Sequence, residues 1–213
     1  MKKRRSLYLC LRFLGKIFLK IFFRVKIDGG KIPKSGGLIV AVNHISPMDP
    51  PLIGIVFPRT IHFFAAEELL NIPVIGWFIR NFGAIPVKRR RGDPFSLKKA
   101  VELLKNGEVV GIFPQGGIPE PMSSSYYKIK PGVAYLSLKA NVPILPICIS
   151  GTDRIIPRGK AFFRRVFTEI HIRYGEVIYP DKISFPSLEK KREIILEKLK
   201  EEMFACESAY SGR

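Results

Sequence analysis

Residues 37–50 read Gly-Leu-Ile-Val-Ala-Val-Asn-His-Ile-Ser-Pro-Met-Asp-Pro. Gly37 to Asn43 is a continuous apolar run behind the Gly36-Gly37 pair. A run without polar alternation is the pattern of a strand covered on both faces, as strands of a parallel sheet are. Asp49-Pro50 has the form of a helix cap with proline in the first turn, opening a short helix as far as Phe57. Strand, turn and helix in that order are the first part of a β-α-β unit.

The alternation continues outward from this stretch. Ile61 to Ala66 is expected as a strand, Pro73 to Asn81 as a helix and Gly83 to Lys88 as extended chain. A second Asp-Pro signal, Asp93-Pro94, precedes a helix from Phe95 to Lys105. Glu108 to Phe113 and Pro143 to Ser150 read as strands on either side of a helix from Gly132 to Ala140. Glu169 to Tyr174 and Glu176 to Tyr179 read as further strands, and Ser187 to Cys206 as a closing amphipathic helix. The fold class is α/β, a mostly parallel mixed sheet flanked by helices, with functional loops at the strands' C-terminal ends.

Charge narrows the partner. The 213 residues carry 36 Lys and Arg against 18 Asp and Glu, a formal net charge of +18, and an excess of that size calls for an anionic partner. Residues 1–36 hold eleven of those cations against Asp28 alone. Within them Arg12, Lys16, Lys20 and Arg24 recur every four residues among Leu9, Phe13, Leu14, Ile17, Phe18 and Ile21, which on a helix makes one cationic stripe on an apolar body. The expectation is an N-terminal amphipathic helix at the membrane interface of an anionic phospholipid membrane; the other reading of residues 6–25 is a helix packed on the domain's own core. Residues 1–30 are then an anchoring segment and residues 31–213 the globular domain. The same cations interrupt any signal-peptide core. A spanning helix needs about 18 apolar residues, and the longest stretch without Lys, Arg, Asp or Glu is the fourteen from Ser35 to Met48. Cys10, Cys148 and Cys206 form no C-x-x-C pair, so neither a disulfide framework nor a metal site is expected. With no zinc-finger or RNP-type pattern, no nucleic-acid partner is expected either.

Two loops follow apolar strands and carry chemistry. His44 and Asp49 stand five residues apart across a proline-containing turn. A carboxylate folded back onto the ring would fix its tautomer and leave the other nitrogen as a general base; alternatively, Asp49 only caps a helix. Phe113-Pro114-Gln115-Gly116-Gly117 is a glycine turn whose N–H groups could face an oxyanion. Lys88-Arg89-Arg90-Arg91 is either a solvated basic loop or an anion site.

Taken in order, Asn43-His44 with Asp49, Gly83 to Arg89 (GAIPVKR), Phe113-Pro114-Gln115-Gly116 and Val142 to Ile147 (VPILPI) resemble, in sequence and spacing, the four blocks of the glycerolipid acyltransferases. The likeness is greatest to the bacterial 1-acylglycerol-3-phosphate acyltransferases, and Lys130-Pro131-Gly132 and Gly151-Thr152 add to it. The resemblance implies transfer of a fatty acyl group from acyl-CoA or acyl-carrier protein to a hydroxyl of a lysophospholipid acceptor, without cofactor or metal. It further implies a peripheral or monotopic enzyme on the cytoplasmic face of the cell membrane, with residues 31–213 as the acyltransferase domain. In its terms His44 is the base, Asp49 orients it, Lys88 and Arg89 hold the acceptor's phosphate, and Gln115 and Gly116 border the acceptor or the oxyanion.

The chain also departs from the family pattern. The third block commonly reads Phe-Pro-Glu-Gly-Thr-Arg-Ser, and here Gln115, Gly117, Ile118 and Pro119 stand for its Glu, Thr, Arg and Ser. Ala65-Ala66 stands where Ala-Lys is frequent. Two other readings follow from these departures: an acyltransferase for a non-phosphatidate lipid, and a catalytically inactive lipid-surface binding protein.

Overall fold

The computed structural model describes residues 2–81, 83–88, 93–120, 128–160, 164–184 and 187–211. Its centre is β2 (Leu38–Val42), buried at every residue. Because side chains alternate across a strand, Leu38, Val40 and Val42 enter a core with Leu52, Ile53 and Phe57, while Ile39 and Ala41 enter a second core with Leu104, Leu136 and Ile195.

Around β2 the sheet is built from β1 (Arg24–Gly29), β3 (Ile61–Ala66), β4 (Ile85–Val87), β5 (Val109–Ile112), β6 (Ile144–Ser150) and β7 (Glu169–Tyr174). The seven strands lie in the order β1-β7-β6-β2-β5-β3-β4. The run from β6 to β4 is parallel, β7 is antiparallel to β6, and β1 is parallel to β7. The helices are α1 (Lys2–Phe22), α2 (Asp49–Val56), α3 (Pro73–Asn81), α4 (Pro94–Lys105), α5 (Gly132–Ala140), α6 (Thr152–Ile155) and α7 (Leu188–Ser211). Side chains of α1 and α2 fill the first core, and those of α4, α5 and α7 the second. The α/β expectation holds in class, mixed sheet and flanking helices.

Two segments differ from the sequence reading. Residues 176–179 add no strand; Ile178 only bridges Ile144. Residues 24–29, placed by sequence in the anchoring segment, instead form β1, paired along its length from Arg24↔Glu169 to Gly29↔Tyr174. The reversal of β7 has a consequence for position. Ser150 at the end of β6 is paired with His171 near the start of β7, so the starts of β7 and β1 share the edge at which the parallel strands end. That edge also carries the His44 loop.

Helix α1 divides lengthwise. Tyr8, Leu19 and Phe23 are buried, whereas Leu9, Phe13, Leu14, Ile17, Phe18 and Ile21 are exposed. Arg12 does not share the outward stripe of Lys16 and Lys20. Its guanidinium donates to the carbonyls of Ile55 (3.0 Å), Phe57 and Pro58 (3.3 Å), the unpaired acceptors that every helix C-terminus leaves and that a cation satisfies well. Tyr8 Oη adds a bond to Gly54 O at 3.3 Å. Among the described residues no helix is long and apolar enough to cross a membrane.

This arrangement separates two cations, Arg12 and Lys16, that the four-residue spacing treats alike. We expect Arg12→Gln to lower the unfolding free energy by about 1–3 kcal/mol, the scale of lost charge-assisted hydrogen bonds, and Lys16→Gln to change it by less than about 0.5 kcal/mol. Urea denaturation of the two variants measures the difference; equal values would mean that Arg12 does not hold α1 to α2.

Candidate active site

The site forms where β2 ends. Asn43, the first residue past the strand, is buried and extends the sheet with its side chain: Nδ2 donates to Ile149 O at 3.0 Å and Oδ1 accepts from Ile149 N at 2.7 Å. That amide locks the outgoing chain to β6, and His44 follows at once.

Asp49 is fully buried, and a buried carboxylate persists only where donors replace its water. It has four. Oδ2 accepts from His44 Nδ1 (2.9 Å), Ile45 N (2.8 Å) and Ser46 N (2.8 Å), and Oδ1 accepts from Thr152 Oγ1 (2.6 Å). Asp49 is therefore not the helix cap that the Asp-Pro pattern suggests. Met48 occupies the cap position without a side-chain bond, and the carboxylate of Asp49, the first residue of α2, points back into the loop before it. The expected His44–Asp49 pairing is present, reached through a turn that Ser46 stiffens: its Oγ accepts from Met48 N at 3.1 Å and donates to Ile156 O at 2.7 Å.

A carboxylate can only accept, so the His44 proton lies on Nδ1 and Nε2 offers a lone pair. The imidazole lies on the Phe113 ring at 4.0 Å between centroids, and Phe113 on Phe63 at 5.4 Å. With one edge bonded and one face covered, the side chain keeps 14% exposure. Nε2 makes no hydrogen bond among the described residues, which is what a base awaiting a substrate proton requires.

The third block leaves β5, the strand beside β2. Gly116 has φ of +80°, where a side chain is strained, and its N–H donates to Phe113 O at 2.9 Å; that N–H is taken. Gln115 is half-buried, and its Oε1 is a buried acceptor without a partner among the described residues. Lys130 lies across the turn. Its N–H donates to Pro114 O at 2.9 Å, and a Cβ on Gly116 would stand 2.1 Å from its Nζ. Lys130 is exposed.

Lys88 stands apart from this group. It follows β4, three strand spacings from β2, or about 14 Å at the usual separation. Its N–H donates to Asp93 Oδ2 at 3.4 Å. Asp93 caps α4 as its sequence predicts, accepting from Phe95 N and Ser96 N, and the Ser96 hydroxyl holds its carboxyl below the ordinary range. Arg89, with Arg90 and Arg91, lies outside the described residues. No group of three or more His, Cys, Asp or Glu among the described residues is placed to hold a metal ion.

With this geometry in view, the comparisons are direct. The profile of the family described as Acyltransferase matches residues 24–150. The chain belongs to the acyltransferase family. It is 30% identical over 178 residues to the 1-acyl-sn-glycerol-3-phosphate acyltransferase of Bacillus subtilis, covering 82% of this chain and 84% of that one. A namesake from Borreliella burgdorferi is 29% identical, over 79% of this chain and 68% of its own. The crystal structure of the 1-acyl-sn-glycerophosphate acyltransferase PlsC from Thermotoga maritima matches with a TM-score of 0.69 at 31% identity, covering 96% of this chain and 82% of that one. The protein is accordingly an O-acyltransferase, and its fold is that of the family.

Thr152 is a residue to which sequence reasoning gave no role. It is fully buried at the start of α6, behind Gly151, whose φ of +89° and contact with Glu169 O leave no room for a Cβ. The Gly151-Thr152 pair was visible in the sequence, but its partner lies 103 positions away. We expect Thr152→Val to act as loss of a positioning residue, lowering kcat roughly tenfold with acceptor KM held and unfolding free energy by about 1.5–3 kcal/mol. Serine at 152 should restore both. Steady-state kinetics with denaturation decides; an unchanged kcat in the valine variant would limit Thr152 to stability.

Proposed function

We propose that the protein acylates the free hydroxyl of 1-acylglycerol-3-phosphate, drawing the acyl group from acyl-CoA or acyl-carrier protein, in phospholipid biosynthesis. The observation that carries this reading is the His44–Asp49 pair, its ring fixed and its Nε2 unbonded. The names of the relatives supply the acceptor class.

His44 Nε2 takes the acceptor's hydroxyl proton as the oxygen attacks the thioester carbonyl. A carbon–oxygen bond forms, the tetrahedral intermediate carries the negative charge on the former carbonyl oxygen, and collapse expels the thiolate. The imidazolium returns its proton to the departing sulfur. Asp49 stabilises that imidazolium, and its other three donors keep it from rotating away. No acyl-enzyme is needed because the thioester is already activated, and buried Ser46, spent on its two loop bonds, is not placed as a nucleophile. With Gly116 N–H engaged, the oxyanion falls to its neighbours Gln115 and Gly117.

The acceptor's phosphate needs a cation near His44. Lys130 fits best, since it lies across the turn that follows the neighbouring strand and makes no ion pair among the described residues. Lys88 and Arg89 would receive the phosphate only from farther along the sheet edge. The exposed apolar face of α1, flanked by Lys16 and Lys20, seats the enzyme as a peripheral or monotopic protein on an anionic bilayer. The cytoplasmic leaflet, with its negative surface potential, is the matching surface.

His44→Ala should lower turnover by at least about 10²-fold, the usual share of a general base, in a protein that stays folded. Lys130→Gln should raise acceptor KM with little effect on kcat, since a phosphate contact remote from the reacting hydroxyl is uniform binding. Mass spectrometry of an acceptor panel tests both. Near-wild-type transfer by the alanine variant would sink the mechanism, and acylation of neutral lysolipids with lysophosphatidate inert would move the acceptor to the non-phosphatidate reading.

A further inference from the structure

Phe167 combines two unfavourable features. Its φ is +58°, a region that bulky L-residues avoid and glycine or asparagine usually occupies. It is also 72% exposed, and Val166 beside it is 47% exposed. Backbone strain held in this way marks positions set for a function. The conformation is pinned by the Phe167 N–H, which donates to Phe22 O at 2.7 Å, and by the Arg164 N–H, which donates to Ile155 O at 2.7 Å.

The place of this segment gives the features a meaning. Phe167 lies two residues before β7, at the sheet edge that carries His44, and touches the end of α1. The Phe167 ring lies 6.4 Å from Phe22, and Phe22 lies 4.8 Å from Phe18. Phe18 belongs to the exposed apolar face of α1, so one apolar surface runs from Phe13 and Ile17 through Phe18 to Phe167. Cations border it on both sides: Lys16 and Lys20 on the helix, Arg164 and Arg165 on the segment, all exposed.

We infer that residues 164–167 are a second lipid-contacting element, which inserts Val166 and Phe167 beside α1 into the interface of an anionic bilayer while Arg164 and Arg165 meet lipid phosphates. The inference rests on the membrane-surface reading of α1. An aromatic tip ringed by arginines suits a bilayer interface, where apolar groups go in and cations remain at the phosphate level. It also orients the site. The segment continues from the stretch whose Thr152 holds Asp49 and whose Ile156 O holds Ser46, so two contacts, α1 and Phe167, fix the tilt at which the His44 edge faces the bilayer.

The test uses the full chain with Trp77→Phe as background, so that a tryptophan placed elsewhere reports alone. Phe167→Trp and Phe13→Trp are each titrated with vesicles of phosphatidylglycerol and phosphatidylcholine in equal amounts. Both emissions should shift to the blue and be quenched by brominated lipid. Phe167→Gly relieves the backbone strain, so its thermal unfolding should be no lower than wild type, while its partition into the same vesicles should fall roughly tenfold, the scale of one buried phenyl ring. A shift at position 13 with none at 167, or undiminished vesicle binding by Phe167→Gly, would overturn the inference and leave α1 as the membrane contact. No shift at either position would overturn both.

Discussion

The Asp49 carboxylate must find donors in a place that water does not reach, and that requirement organises the molecule's working edge. Its four bonds gather the loop after β2, the first turn of α2 and the N-terminus of α6 onto one side chain. A buried carboxylate left unpaired is strongly destabilising, so folding and the assembly of the site are the same event. The histidine is therefore not a flexible appendage that finds its partner during the reaction. It is held from the start by an acceptor that the rest of the loop has already immobilised, and preorganisation of this kind is what lets a base act without reorganisation at the moment of proton transfer.

Much of the fold was legible because β2, β5 and β6 are covered on both faces and read as unbroken apolar runs, with proline and glycine marking the turns between them. β1 was not legible for the opposite reason. Arg24-Val25-Lys26-Ile27-Asp28-Gly29 is an edge strand with only Val25 half-buried, so its sequence carries charges that protect the edge rather than a pattern that announces a strand. Its place is decided by pairing with β7, about 145 positions later in the chain, a distance that no local window spans.

The His44–Asp49 pairing was legible in the sequence, and the residues that support it were not. His44 and Asp49 are close in sequence, and the four-block order carried them. Thr152, at the start of α6, and the Phe113 ring, just past β5, act on them from distant parts of the chain, and nothing local marks a threonine as a donor to a distant carboxylate. Arg12 shows the same limit in reverse. A four-residue spacing places it in line with Lys16 and Lys20, yet the slow drift of that stripe around the helix turns Arg12 toward the end of α2, where carbonyls await a donor. A one-dimensional stripe cannot say which of its members meets protein and which meets solvent or lipid.

Strand order also governs how an amphipathic substrate can lie on this edge. β2 has β6, β7 and β1 on one flank and β5, β3 and β4 on the other. The first flank ends beside α1 and Phe167, the exposed apolar surface; the second carries the third-block turn with Lys130 and, farther out, Lys88. In the proposed reaction the phosphate of a lysophosphatidate is only a few bonds from the hydroxyl at His44 Nε2, so a cation at the turn after the neighbouring strand suits it better than Lys88, three strand spacings away. Gly116, with no Cβ, leaves Lys130 room to lie directly across the turn. In the proposed arrangement the acceptor's chain runs toward the exposed apolar flank and its charge toward the basic one, with His44 at the boundary between them.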